Sequence, residues 1–193
     1  MNMKSVKGTL TEKNLLTSFA GESQARMRYT YFAKEAHREG FEQIAAIFLE
    51  TAEQERMHAK RMFRFLEGGM VEICATYPAG EIKSTMENLR AAAAGEHDEW
   101  YEIYPVFADI AEDEGFKDIA LMYRAISMAE QQHEERYLRL LENMEREHVF
   151  HRPEPVVWQC RKCGYSFTGK KAPDRCPSCL HPKGYFEIKA ENY

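Results

Sequence analysis

Glu55-Arg56-Met57-His58 and Glu130-Gln131-Gln132-His133 are the two stretches on which the reading of this chain turns. Each sets a carboxylate and an imidazole three residues apart, a spacing that puts both on one face of a helix. They stand 75 positions apart, and the match extends outward from them. Ile44-Ala45, Phe48, Arg61 and Leu66 correspond to Ile119-Ala120, Tyr123, Arg136 and Leu141 at the same offset. Upstream, Tyr29, Phe32-Ala33 and Glu39-Gly40-Phe41 correspond to Tyr104, Phe107-Ala108 and Glu114-Gly115-Phe116. Further upstream, Ala20-Gly21-Glu22 corresponds to Ala94-Gly95-Glu96 once one residue is inserted in the second half. Any two amphipathic hairpins share apolar spacing, but shared polar residues in register indicate an internal duplication.

Apolar residues recur at three and four through residues 11–147, which predicts four helices over about 12–38, 41–67, 84–114 and 116–147. Breaks fall at Glu39-Gly40, at Gly68-Gly69 through Tyr77-Pro78-Ala79-Gly80, and at Glu114-Gly115. The middle connection, 68–83, spans about 50 Å when extended against about 40 Å for a helix, so a crossover along the bundle is permitted. Pro105 removes a backbone donor inside the third helix, where a kink or bulge is expected.

Glu22, Glu55, Glu96 and Glu130 each sit in an apolar stripe rather than on a solvated face. Glu55, for example, has Phe48, Ala52, Ala59 and Met62 at helical neighbour positions. All four point inward, at matching distances from their hairpin turns. Unpaired carboxylates in an apolar interior are intolerable, so they need cations. Arg26 or Arg56 is one possible source. The histidines favour another: four carboxylates, with Glu99 as a fifth that the first half lacks, and two imidazoles are a donor set for two iron or manganese ions. This pattern on a four-helix bundle resembles the ferritin-like di-iron carboxylate proteins.

Residues 156–193 differ in composition. They hold seven Lys/Arg against three acids, a balance of +4, leaving 19 against 28 in residues 1–155, or −9. Residues 151–155, His-Arg-Pro-Glu-Pro, read as a linker between a 1–150 bundle and a 156–193 tail. Cys160, Cys163, Cys176 and Cys179 form two Cys-x-x-Cys knuckles, a tetrahedral four-thiolate site that takes zinc or a single iron on spacing alone. Trp158, Tyr165, Phe167, Tyr185 and Phe186 are expected to jacket it, and the lone Cys74 is expected to be a small buried hydrophobe. His37, His97, His148, His151 and His181 have no place in the ligand pattern. Cys-x-x-Cys-Gly-Tyr with Cys-Pro-x-Cys resembles rubredoxin, and a ferritin-like bundle followed by such a tail resembles the rubrerythrin family over essentially the whole chain.

No run of about 18 apolar residues exists to cross a bilayer, and mean hydropathy is −0.59. Residues 1–10 have no apolar stretch like that of a secretory leader. With 193 residues and a net charge of −5, the chain has no positive field to hold nucleic acid. A cytoplasmic protein with neither membrane nor nucleic-acid partner is expected.

The resemblance implies a peroxidase for oxidative-stress defence, in which a di-iron centre reduces hydrogen peroxide to water with electrons relayed through one rubredoxin-type iron. It implies that Glu55 and Glu130 bridge the two ions, that Glu22 and Glu99 bind one, and that Glu96 and His133 bind the other. His58 is the movable ligand, replacing Glu99 on reduction. Tyr29 and Tyr104 lie near enough to hydrogen-bond ligand carboxylates. The implied electron donor is a rubredoxin or an NAD(P)H-dependent reductase. The opposite charges of tail and bundle favour a homodimer or higher oligomer with the tail docking in trans. The alternatives are a ferroxidase that handles or stores iron, and a non-enzymatic module with a zinc ribbon.

Overall fold

The computed structural model describes residues 4–192. The ends of the two expected domains, 1–3 and 193, lie outside these residues, as does the start of the segment read as lacking a leader. Helices α1 (Leu10–Arg38) and α2 (Glu42–Phe63) form the first hairpin. The second comprises α3 (Thr85–His97), a π-helical segment (Asp98–Ile103), α4 (Tyr104–Asp113) and α5 (Lys117–Glu145). Together they make the expected four-helix, ferritin-like bundle. No helix among the described residues is long and apolar enough to cross a membrane.

The duplication is visible in the hairpin turns. Gly40 and Gly115 share φ +84°, and the amides of Phe41 and Phe116 reach back to the carbonyls of Ala36 and Ala111 at 2.8 and 2.7 Å. Glycine takes that left-handed position without penalty, and the amide of the following residue satisfies an orphan helical carbonyl.

The connection from 64 to 84 is a full-length crossover. It starts where Glu67 accepts the Val6 amide at 2.9 Å, beside the start of α1. It ends where Glu39, at the far end of α1, accepts the Thr85 amide at 3.0 Å. Helix α2 stops at Phe63, short of the expected 67, and a Ser84/Glu87 capping box starts α3. Cys74, expected to be buried, is exposed on this crossover; it is Tyr77, three residues on, that turns to α1.

The third helix is interrupted where Pro105 predicts a bulge. A π segment is an α-helix with one residue inserted, and one insertion is what separates the two repeats between Glu96 and Tyr104. The Tyr104 amide reaches five residues back to Glu99. In that register Pro105 would serve the Trp100 carbonyl, and it has no N–H to give. Ser127 Oγ, from α5, donates to that carbonyl instead at 2.9 Å.

The tail is a three-stranded antiparallel sheet in the order β2-β1-β3, from β1 (His151–Cys160), β2 (Ser166–Lys171) and β3 (Phe186–Ile188). Residues 151–155, expected as a linker, are extended and form the first half of β1, with His151 opposite Lys171 and an irregular register before Val156. Trp158 and Phe186 pack with Cys160, Ala172 and Cys176. Phe167, expected in this jacket, is 40% exposed: it pairs across the strands with the buried Trp158, but its ring lies outward along β2 against Gly169.

The tail sits against the α1–α2 turn of its own chain. Phe41 and Phe150 stack at 5.9 Å, and Gly184 lies against the Gly40 backbone. A Cβ at Gly184 would come 2.3 Å from the Gly40 carbonyl oxygen, so the contact is closed to any side chain. Gly184→Ala is expected to lift the tail from the bundle end at a cost of about 1–3 kcal/mol. Hydrogen exchange across 183–188 should speed up while α5 stays protected; unchanged exchange would refute this packing account.

Candidate metal centres

The four inward glutamates converge at mid-bundle. Glu22 comes from α1, Glu55 from α2, Glu96 from α3 and Glu130 from α5, and all four are fully buried. Two groups of ligand atoms form, each within 4.8 Å: Glu22, Glu55, His58 and Glu130, and Glu55, Glu96, Glu130 and His133. Glu55 and Glu130 belong to both, as bridging residues would. Glu99 stands outside both groups, so it is His58, not Glu99, that completes the first one. His58 Nδ1 lies 2.8 Å from Glu130, 3.0 Å from Glu55 and 3.7 Å from Glu22.

The alternative of arginine neutralisation fails. Arg56 pairs with Glu53 at the surface, and among the described residues the cationic partners within ion-pair reach of the four carboxylates are the two histidines alone. Glu22 Oε2, Glu55 Oε1, Glu96 Oε2, both oxygens of Glu130 and His133 Nδ1 are buried without a hydrogen-bond partner. His133 Nδ1 is nevertheless 2.7 Å from Glu130 Oε2. Close approach without hydrogen-bond geometry is what atoms show when their lone pairs face a shared centre rather than each other. The outer nitrogen sets which atom faces inward: His133 Nε2–H donates to Gln54 Oε1 at 2.9 Å, so once a cation displaces the Nδ1 proton it is the Nδ1 lone pair that faces the cluster. The residues present therefore fit two cations.

The tyrosines do what the spacing predicts, and they do it reciprocally. Tyr29 of α1 donates to Glu96 of α3, and Tyr104 at the start of α4 donates to Glu22 of α1, each at 2.5 Å. The duplication does not flag Gln54, whose counterpart is Ala129, or Glu134, which accepts from Trp100 Nε1 at 2.5 Å and faces His97 at 3.1 Å.

Electrostatics follow from dryness. Burial, joined by the Glu55 charge, pushes Glu22 up to about 7 despite its contact with His58. Burial and then neighbouring carboxylates hold Glu96 and Glu99 well above the usual carboxylate range. Burial alone would lower His133, but Glu130, Glu55 and Glu96 outweigh it and push it up to about 12. His58 is raised in the same way, against its burial, by Glu130, Glu22 and Glu55.

The four cysteine sulfurs also lie within 4.8 Å of one another, with Cys160 to Cys179 at 3.8 Å and Cys163 to Cys176 at 3.6 Å. Thiolates about 2.3 Å from a tetrahedral ion stand about 3.8 Å apart, so this set fits a metal as it stands. The Tyr165 amide is the largest influence holding the Cys163 thiol down to about 6. The knuckles repeat each other: the Gly164 and Leu180 amides reach back to the Cys160 and Cys176 carbonyls at 2.8 and 2.9 Å, both residues at positive φ.

The family model described as Rubrerythrin matches residues 13–141, and that described as Rubrerythrin, rubredoxin-like domain matches residues 158–187. The chain is 62% identical to a rubrerythrin of Porphyromonas gingivalis over 98% of its own length and 95% of the relative's. It is 54% identical to a rubrerythrin of Nitratidesulfovibrio vulgaris, over 99% and 100%. A structure of fully reduced, all-ferrous nigerythrin superposes with a TM-score of 0.64 at 30% identity, covering 98% of this chain and 94% of that one.

Raised carboxylate and imidazole pKa values mean that the metal-free bundle holds extra protons near neutral pH, and cations must displace them. Anaerobic titration of ferrous ion into metal-free protein should therefore release protons, seen as calorimetric heats that depend on the buffer. Affinity should rise with pH through about 7, where Glu22 ionises. Buffer-independent heats and a pH-independent affinity would contradict the arrangement.

Proposed function

Because this chain belongs to the rubrerythrin family and brings together a carboxylate–histidine cluster and a four-cysteine cluster, we propose that it is a peroxidase. It reduces hydrogen peroxide to water in oxidative-stress defence, with electrons relayed through the tail. One observation carries the reading: a hard oxygen-and-nitrogen cluster in a dry interior and a soft four-sulfur cluster occupy the same chain. Iron storage by a ferroxidase has no use for the second.

Glu22, Glu55, Glu96, Glu99, Glu130, His58 and His133 would hold two irons, and Cys160, Cys163, Cys176 and Cys179 would hold one. When bound, the di-iron pair supplies two electrons together, so the O–O bond is cleaved without release of a hydroxyl radical. The protein's own part is positional and protonic. Tyr29 and Tyr104 pin Glu96 and Glu22, and Gln54 orients His133. Reduction of peroxide to two waters consumes two protons as well as two electrons. Glu99 lies outside the ligand groups, and burial with four neighbouring carboxylates raises its pKa in the metal-free protein, so it is the carboxyl to which we assign the carrying of a proton. It also remains the alternative to His58 as a ligand.

Within one chain the relay would be long. Tyr185 of the tail faces Glu42, and Glu55 lies thirteen residues further along α2, about 20 Å down the axis. A second subunit's tail shortens the path by docking on the groove of about 720 Å³ between α2 and α5, which opens onto His58 and His133. Rubredoxin or an NAD(P)H-dependent reductase would feed the tail from the cytoplasm.

Stopped-flow mixing of anaerobically reduced protein with hydrogen peroxide should reoxidise the di-iron absorption stoichiometrically without forming mineral. Zinc in the four-cysteine site should abolish turnover driven by a reductase while sparing that single reoxidation. Glu99→Gln should slow the peroxide step about 100-fold with the spectrum of the thiolate site unchanged. Mineral growth, or turnover indifferent to zinc in the tail, would favour iron handling instead.

A further inference from the structure

Two glycines lie inside helices at equivalent places in the repeat, Gly21 in α1 and Gly95 in α3. Neither is among the residues at positive φ, so the backbone does not require them. Packing does not require them either. A Cβ at Gly21 would meet the Tyr77 ring at 3.5 Å and Glu99 Oε1 at 4.0 Å, and one at Gly95 would meet the Arg28 guanidinium at 3.7 Å; these are ordinary contacts. Glycine inside a helix is nevertheless less stable than alanine. What the missing methyls leave is space: both glycines front a single cavity of about 360 Å³ between α1 and the π segment.

The inner wall of this cavity includes Glu99 and Tyr104, and the Tyr104 hydroxyl is bonded directly to Glu22. Its wall also carries two buried polar atoms without partners, Gln24 Oε1 and Arg28 Nε, suited to small polar solutes. Its cover is the crossover, latched by Tyr77 Oη on the Thr17 carbonyl and by Gln24 Nε2 on the Pro78 carbonyl, both at 2.7 Å. The α2–α5 groove opens on the other side of the cluster, at His58 and His133.

We propose that the Gly21/Gly95 cavity is the entry passage for small polar solutes to the carboxylate cluster, with Tyr77 setting its width. The passage admits molecules of two or three heavy atoms, peroxide and linear triatomic anions among them, and leaves the α2–α5 groove free for a docking partner. This rests on the di-iron reading of the cluster but not on peroxide as its substrate.

Azide binding to the iron-loaded, full-length protein, followed by visible absorption, tests the passage separately from turnover. Gly21→Leu should slow azide association about tenfold or more, a barrier increase that leaves the spectrum before azide addition unchanged. Gly21→Ala should raise the melting temperature by about 2–4 °C, as alanine in a helix does, yet still slow azide. Tyr77→Ala should speed it. Where Gly21→Leu does not fold, the opposite responses of Gly21→Ala and Tyr77→Ala decide the matter. Wild-type azide rates in the glycine variants, or slowing by Ala129→Leu in the opposite groove in their place, would overturn the assignment. Failure of the peroxidase reading would appear elsewhere, as normal azide kinetics without stoichiometric reoxidation by peroxide.

Discussion

Four carboxylates meeting in a dry interior are the constraint from which the rest of this molecule follows. Each would carry a prohibitive desolvation cost as an isolated charge, and together they repel. Protons relieve part of this strain, as the raised pKa values of Glu22 and Glu96 express. Multivalent cations relieve it more completely, because they satisfy the partnerless oxygens of Glu22, Glu55, Glu96 and Glu130 at once. The surrounding residues maintain that geometry. The two tyrosines clamp across the repeat, Gln54 sets a tautomer, and the aromatic packing of Tyr29, Phe48 and Tyr137 fills the space beside the cluster.

Much of this was legible in the sequence because duplication repeats polar residues as well as apolar ones. Glu55/Glu130 and His58/His133 would each be unremarked alone; at one offset they single out the carboxylate–imidazole cluster and, with the hairpin glycines, the bundle. The reciprocal tyrosine bonds follow from the same repeat. Gln54 and Ser127 were not legible, since each acts on a group from another helix and neither is repeated; only tertiary contact reveals Gln54 beneath His133 or Ser127 beneath the Trp100 carbonyl. Residues 151–155 misled for a related reason. Two prolines forbid a helix there, but they do not forbid extended backbone at an irregularity of the β1–β2 ladder, where two donors can be missing.

The tail obeys a different logic. Its core is small, and its knuckles include Leu180 in a backbone region that side chains avoid. A sheet of three short strands gains little from burial alone, so the ion that its thiolates fit would contribute to its folding. The bundle has two apolar clusters to hold its carboxylates in place, whereas the tail has one small one.

The π segment has a consequence of another kind. Between Glu96 and Tyr104 it absorbs one residue that the first hairpin does not possess, and α4 beyond it resumes in phase with α1. A lone in-frame codon therefore separates a symmetric pair of hairpins from an asymmetric one. It gives the two ligand groups unlike neighbourhoods, with Glu99 beside them in the second half alone, while the sequence match between the repeats resumes at Tyr104.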